Sequence, residues 1–489
     1  MRTVAEVLAA SPARFGTSGL RALVTELTDE LCFAVTLGFL EHLRGTWEEG
    51  PGERGGASVE TRDVMLAHDL RPSSPRIARA VAAAIRHAGY RPVFAGTVPT
   101  PALALAAFHR SIPSVMVTGS HIPFDRNGLK FHRPNGEITK ADEAPITGST
   151  AHVPDTIDLA PLPEPVGSAE AEYARRYLTA FPGLLGDMRV GLWEHSAVGR
   201  DLFAALLGDL GAQVVPLGRS DEFVPVDTEA VAPADRERAR AWTAEHDLDA
   251  LFSTDGDSDR PLLADGNGDF FRGDALGILA ARALDADAVA TPVSSNTALE
   301  RTGWFADTAR TRIGSPYVLD AMADLATRHG RVVGFEANGG FMTQTTLRAD
   351  AASLVPLPTR DALLPALAAI ALAKREGVAL SDLDGMLPQR RTRSDRLADR
   401  PTAASRAFLD DLRAETGARN ALLDGIGTVE TTDETDGLRM TLDTDEIVHL
   451  RPSGNAPEFR IYVEAGDEAR AEDLLAEVKG RLAERLPEG

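Results

Sequence analysis

From Asp63 to Val117, short apolar runs alternate with stretches whose apolar residues recur at helical spacing. Val64 to Ala67 reads as a strand. Ser74 is placed to N-cap a helix with Pro75 at its first position; Ile77, Val81, Ala84, Ile85 and Ala88 line one face, and Gly89 ends it. Val93 to Ala95 is the next strand, Pro101 to His109 the next helix, and Ser114 to Val117 a third strand. Strand and helix in alternation predict a mostly parallel sheet whose ligands lie beyond the strands' C-terminal ends.

The pattern then lapses. Pro154, Pro161, Pro163 and Pro165 punctuate a stretch with few periodic apolar residues, read here as a linker from Val153 to Val166. Alternation resumes with strands at Arg189 to Trp193, Val214-Val215 and Ala250 to Phe252, and helices at Gly199 to Leu210 and Asp235 to Glu245. A third block has a strand at Ala288 to Thr291, a helix at Tyr317 to Thr327 and a strand at Val332-Val333. After Leu387 the period becomes two, at Thr428 to Thr432, Leu438 to Leu442, Ile447 to Leu450 and Phe459 to Val463, before a final helix from Glu468 to Leu486. The reading is an α/β protein: three consecutive α/β domains with mixed, mostly parallel sheets and a smaller C-terminal α+β domain with an antiparallel sheet. The expected boundaries are 1–152, 166–271, 272–387 and 388–489. Each α/β block presents a polar loop directly after an apolar strand, a hint of structural repetition.

Composition narrows the possibilities. A chain of 489 residues holds three or four domains at roughly 100–150 residues each. The lone cysteine, Cys32, rules out a disulfide framework, and it lies in an apolar helical run from Leu31 to Leu40 that is too short to span a bilayer. Glu6 interrupts the apolar stretch of a would-be signal peptide, so a cytoplasmic protein is expected. A net charge of −22 argues against nucleic acid and anionic membrane as partners. An acidic protein that handles an anionic substrate must gather its scarce cations, and Arg21, Lys130, Arg260, Arg312, Arg451 and Arg460 all fall in loops or at strand ends.

Candidate chemistry sits in those loops. Thr118-Gly119-Ser120-His121-Ile122-Pro123 follows the third strand; its serine could carry a transferred group or could simply form a turn. No G-x-S-x-G elbow surrounds it, which disfavours an esterase. Asp255, Asp257 and Asp259 alternate on one turn before Arg260, a carboxylate set suited to Mg²⁺. An EF-hand would need Gly and Glu where Arg260 and Gly266 stand, and a D-x-D-x-T phosphatase would need Thr in place of Asp259. Arg451-Pro452-Ser453-Gly454-Asn455-Ala456-Pro457 offers a guanidinium, a hydroxyl and loop amides for a phosphate, and is not a Walker loop. Glu336 and Asn338, in a glycine-rich loop, could grip sugar hydroxyls or mark a tight turn.

Taken in this order, the four loops resemble the α-D-phosphohexomutase superfamily, most closely its phosphomannomutase/phosphoglucomutase branch, from Phe15 to the terminal helix. The resemblance implies a heart-shaped, four-domain enzyme in which each domain gives one loop to a central cleft. It implies a phosphorylated Ser120, with Mg²⁺ held by Asp255, Asp257, Asp259 and an oxygen on Ser120. Phosphoryl transfer to a hexose 6- or 1-phosphate would give a hexose 1,6-bisphosphate, which turns end for end and returns the other phosphate. Arg451, Ser453, Gly454 and Asn455, with Arg460, would hold the non-reacting phosphate, while Glu336 and Asn338 hold the sugar and Arg312 lines the cleft. Lys130 and Arg260 would offset charge; Lys130 and Arg21 are the candidates for proton handling, and His121 stands beside the nucleophile. Two positions depart from the family pattern: Ile122 replaces an Asn, and Asn338 replaces the usual serine.

The activity expected is interconversion of mannose 6-phosphate and mannose 1-phosphate. Phosphoglucomutase or dual activity is the nearest alternative, phosphoglucosamine mutase the next, and an inactive sugar-phosphate-binding homologue the reading from another class. Partners would be small hexose phosphates, and the protein a monomer or weak dimer.

Overall fold

A computed structural model describes residues 1–16, 19–47, 62–453 and 458–486. The first sheet has seven strands, in the order Arg14–Phe15, Leu20–Leu23, Arg126–Arg133, Ser114–Val117, Asp63–His68, Arg91–Gly96, with Gly136–Glu137 added to Arg126–Arg133. Two of its six pairings are parallel. Asp63–His68 pairs in parallel with both Arg91–Gly96 and Ser114–Val117, whereas Ser114–Val117 meets Arg126–Arg133 antiparallel.

The same plan recurs twice. In the second sheet Ala250–Thr254 lies parallel to Arg189–Trp193 and forms a hairpin with Pro261–Ala264. In the third, Val332–Phe335 lies parallel to Ala288–Pro292 and forms a hairpin with Phe341–Thr343. The sheets are mixed, as expected; the second is mostly parallel, and in each unit the parallel set gives way to an antiparallel return. That return has a physical consequence. The polar loop after each parallel strand becomes the tip of a hairpin, anchored at both ends by ladder hydrogen bonds instead of running into a mobile helix connection. The Ser120, Asp255–Asp259 and Glu336–Asn338 loops are these three tips.

One apolar core runs through the first three units. It joins Met116 and Leu103 of the first to Tyr177, Leu207 and Phe252 of the second and to Leu276, Phe335 and Leu367 of the third. Leu363–Glu376, a helix buried on nearly every side, packs against Gly273–Ala283 at its centre, and Gly377 ends it in the left-handed region. The first unit keeps a second core of its own beneath Asp29–Trp47, where Cys32 is buried and its thiol pushed up to about 12 by burial.

The linker stretch forms neither helix nor strand, and Ile157, Leu159 and Leu162 rest on the first unit. Ser74 proves to be the first helical residue and not the cap; its hydroxyl donates to Asp69 Oδ1 at 2.6 Å.

The C-terminal unit is an antiparallel sheet, ordered Arg391–Leu397, Phe459–Ala465, Ile447–Pro452, Leu438–Leu442, Val429–Asp433, with the helix Glu468–Arg485 against it. Its core, from Leu397 to Leu486, is separate from the others. Polar contacts prominent at its junction include Glu464 with Thr297 and Arg390, Asp445 with Arg301 and Arg390, and Asp436 with the Ile313 amide. No helix among the described residues is long and apolar enough to cross a membrane.

Candidate active site

Ser120 sits with a φ of 54°, in the left-handed region that costs a non-glycine residue ~1–3 kcal/mol. Two buried residues beyond the Asp63–His68 strand hold the strain in place. Asp69 accepts the Thr118 hydroxyl at 2.7 Å, and that same oxygen accepts the Ser120 amide at 2.8 Å. Arg71, fully buried, donates to the carbonyls of Ser120 at 2.8 Å, Ile122 at 2.6 Å, Pro123 at 2.7 Å and Arg126 at 2.9 Å. Its guanidinium also lies 3.8 Å from the centre of the Phe223 ring. Gly119 is required there, because a Cβ would fall 2.6 Å from Arg71 Cζ. Neither Asp69 nor Arg71 was expected from the sequence. The signal was present, since Asp69-Leu70-Arg71 is another charged loop directly after an apolar strand.

The Ser120 hydroxyl donates to Asp255 Oδ2 at 2.5 Å, across two units of the fold. Asp255, Asp257 and Asp259 offer oxygens within 4.8 Å of one another, and all three are buried. Burial, together with repulsion from Asp257 and Asp259, raises the Asp255 carboxyl far above the usual carboxylate range. Asp259 goes the other way: Arg360, Lys130 and Arg260 outweigh its burial and hold it ionised.

Four of the six oxygens in this carboxylate set are already hydrogen-bonded by the protein, both of Asp255 among them. Asp257 Oδ2 takes Thr100 Oγ1 at 2.5 Å and Lys130 Nζ at 2.6 Å; Asp259 Oδ2 takes Lys130 Nζ at 2.6 Å and Arg360 Nε at 3.0 Å. The other oxygens, Asp257 Oδ1 and Asp259 Oδ1, are buried with no hydrogen-bond partner among the described residues. A buried carboxylate oxygen without a hydrogen bond is costly, and two of them beside Asp255, with only Arg260 Nε at 3.7 Å from Asp259 Oδ1, suit a hard divalent cation. The residues fit a metal.

Arg360, also missed from the sequence, ties this loop to the third. Its Nη1 donates to Glu336 Oε2 at 3.0 Å while Nε holds Asp259, and it packs so close that a Cβ on Gly340 would fall 2.4 Å from its Cδ. It lies in the strand Leu357–Asp361, where a buried Arg-Asp pair precedes an apolar helix. No periodicity marks it, which is why pattern reading passed over it. Asn338 Oδ1 accepts the Gly340 amide at 3.0 Å, and its carbonyl accepts Thr228 Oγ1 at 2.7 Å.

The remaining cations take distinct places. Arg260 Nη1 donates to His121 Nδ1 at 2.7 Å, whereas Ser120 Oγ is 3.4 Å from that nitrogen. Burial and the guanidiniums of Arg260, Arg21 and Arg460 keep His121 neutral, so the ring orients Arg260 and is a poor base for Ser120. Arg21, half-buried on Leu20–Leu23, is lowered to about 10 by burial and by Arg260 and Arg360. Arg451 pairs with Asp436 Oδ1 at 3.0 Å, and the ladder sets it directly opposite Arg460. The Ser453 amide donates to the Glu458 carbonyl at 2.8 Å. Gly454 and Asn455 lie outside the described residues. Arg312 is the residue not drawn in: it is exposed and stacks over the Tyr317 ring at 5.5 Å.

A serine-bearing hairpin tip, a tip with three buried carboxylates and a glycine-rich tip carrying Glu336 meet across three repeated α/β units. Models of phosphoglucomutase/phosphomannomutase match the first, third and C-terminal units: α/β/α domain I over residues 12–155, α/β/α domain III over 272–390, and the C-terminal domain over 396–481. The chain belongs to the α-D-phosphohexomutase superfamily, in the phosphoglucomutase/phosphomannomutase family. It is 44% identical to the phosphomannomutase of Salmonella muenchen, with 98% of each chain covered. It is 43% identical to that of Sinorhizobium fredii (strain NBRC 101917 / NGR234), over 95% of this chain and 97% of the other. In fold it is similar to a phosphoglucomutase/phosphomannomutase family protein from Burkholderia thailandensis, with a TM-score of 0.69, 19% identity and 99% of each chain covered.

Proposed function

We propose that the protein is a phosphomannomutase that interconverts mannose 6-phosphate and mannose 1-phosphate through a phosphorylated Ser120 and a hexose 1,6-bisphosphate. The observation that carries this reading is the Ser120 hydroxyl 2.5 Å from a buried three-carboxylate cluster. A phosphoryl group on Oγ replaces the proton that Asp255 now accepts and sets a dianion against three carboxylates. That arrangement is tenable only with a cation among them. Asp255, Asp257 and Asp259 would hold Mg²⁺, which when bound supplies Lewis-acid neutralisation of the phosphoryl oxygens.

The chain's own residues do the rest. In the forward half-reaction the Ser120 Oγ–P bond breaks as a sugar hydroxyl oxygen bonds to phosphorus, and the proton that this hydroxyl gives up ends on Ser120 Oγ, which is left as a neutral hydroxyl. Lys130, already bonded to two carboxylates, is placed to pass that proton on. Arg260, oriented by His121, and Arg21 face the charge that develops on the equatorial oxygens, a term worth several kcal/mol in a dry site. At about 10, Arg21 is still cationic at neutral pH, so it acts as an electrostatic clamp and not as the base. Glu336 and Asn338 hold sugar hydroxyls, and Arg360 fixes Glu336 while doing so. Arg451, Ser453, Gly454, Asn455 and Arg460 take the distal phosphate in either orientation of the bisphosphate.

Coupled kinetics with mannose 1-phosphate against glucose 1-phosphate, at saturating Mg²⁺ and activator bisphosphate, tests the assignment. The expected result is a higher kcat/KM for the mannose compound. A preference for glucose 1-phosphate would make the protein a phosphoglucomutase.

A further inference from the structure

Away from the Ser120 cluster, a cavity of about 440 Å³ opens where the second, third and C-terminal units meet. That size is within the ~300–1,000 Å³ of ordinary small-molecule sites. Its wall is rich in arginine, and those arginines are not equally satisfied. Arg390 is held by Glu464 and Asp445, and Arg391 by Asp384. Arg393 bonds Glu468, with Glu472 at 3.5 Å. Arg236 and Arg272 fare worse. Arg236 donates to the Val231 carbonyl at 3.3 Å and forms no ion pair among the described residues. Arg272 reaches the Glu229 carbonyl at 3.4 Å and Asp274 at 3.7 Å, and its buried Nε has no hydrogen-bond partner among them.

None of the wall's carboxylates serves Arg236, and Glu468 serves Arg393. Asp384 serves Arg391, Asp269 serves Arg240, and Asp265 takes the amides of Asn267 and Asp269. Glu229 faces both Arg460 and Arg272, and burial and Asp227 raise its carboxyl toward the neutral form. Burial, and after it the nearby Arg272 guanidinium, lowers both Arg236 and Arg393. Two under-paired guanidiniums, Arg236 and Arg272, on the same polar cavity as Arg393 match the forked geometry that binds phosphate oxygens.

We propose that this cavity is a binding site for a small phosphate-bearing anion, held between Arg236, Arg272 and Arg393. The three come from different parts of the chain: Arg236 from the helix Pro233–His246, Arg272 from the segment joining second and third units, Arg393 from the C-terminal strand Arg391–Leu397. An anion bridging them ties the C-terminal unit to the second. The three arginines belong to neither the Ser120 cluster nor the Arg451 loop, although the wall's Thr228 bonds the Asn338 carbonyl and Glu229 faces Arg460, and the proposal does not depend on the mutase reading.

Titration calorimetry of inorganic pyrophosphate into the full chain, at about 0.15 M salt to screen loose surface attraction, tests this. The wild type is expected to show two classes of site, one in the catalytic cleft and one here. Arg236→Gln with Arg272→Gln should weaken one class at least tenfold and leave the other intact. Ser120→Ala should keep the arginine site whether or not the mutase assignment holds. Arg236→Glu alone, a substitution on a partly exposed helix, guards against a variant that fails to fold and should give the same loss. Repeating the titration with inorganic phosphate and with a hexose phosphate separates a site for the free ion from one for a phosphorylated metabolite. An isotherm unchanged by all the Arg236 and Arg272 variants overturns the proposal, as does one whose heat is removed only by Arg451→Gln. The mutase rate without added anion should stay within twofold of wild type in Arg236→Gln; a collapse would show that these arginines serve the cleft and would equally overturn it.

Discussion

Replacing Arg360 with Met keeps roughly the side chain's volume and removes the charge that holds two loops together. In the structure one guanidinium meets Asp259 and Glu336 at 3.0 Å each, and it is almost wholly buried. Its neighbours hold its proton more tightly than usual: burial would lower the guanidinium, but Asp259, Glu336 and Glu137 more than offset that. Breaking a buried pair by removing one partner costs ~3–5 kcal/mol, because the other charge is left uncompensated. If about 3–4 kcal/mol of that falls on the transition state, kcat/KM drops roughly 10²–10³-fold at 1.36 kcal/mol per decade. Arg360→Lys restores the charge but not the fork, so a loss of about tenfold is expected. The assay is coupled turnover of mannose 1-phosphate at saturating Mg²⁺, with circular dichroism to confirm that the variants are folded. A folded Arg360→Met within threefold of wild type in kcat/KM would refute the reasoning, since Glu336 and the carboxylate loop would then be held without it.

Ser120→Ala should abolish turnover and the phosphate label that the wild type takes from a labelled bisphosphate; a labelled variant would mean another acceptor. Exhaustive chelation should remove activity and Mg²⁺ restore it, while Asp257→Asn, which blunts one of the two unpaired carboxylate positions, should raise the Mg²⁺ concentration needed at least tenfold. Acid should weaken the fold in a defined window. Burial pulls His132, His195 and His449 down from 6.5 to about 4, so the unfolded chain takes up protons first and stability falls as pH drops from about 6.5 to about 4. Each can contribute up to ~3 kcal/mol to that loss, and a melting temperature that does not change from pH 7 to 4.5 would contradict it. The C-terminal unit, with its own core and polar contacts at its junction, should rotate against the others on binding a sugar bisphosphate. Identical small-angle scattering with and without the ligand would count against that motion.

Much of this protein was legible one strand at a time. Apolar runs of period two or of helical spacing placed the strands before each loop to within a residue or two, because burial imposes that spacing locally. Val64–Ala67 widened only to Asp63–His68, and Ile447–Leu450 to Ile447–Pro452. The loop chemistry was also local: Ser120 and the aspartate triplet announce themselves by residue type and spacing. Tertiary structure alone decided what lies across from what. Asp255 is 135 positions from the serine that it meets, Arg360 is 101 from Asp259, and Arg71 is 49 from the Ser120 carbonyl that it holds. Such pairs leave no periodic trace, since a single buried arginine in an apolar strand looks like an interruption until its carboxylates are brought to it. The antiparallel return in each unit was hidden for a related reason: strand direction depends on how a sheet closes over the shared core, and strands buried on both faces read as apolar runs in either direction. Sequence thus determined the elements and the kind of chemistry, while three-dimensional packing determined which charges share a site, because electrostatic partnership depends on distance in space and not along the chain.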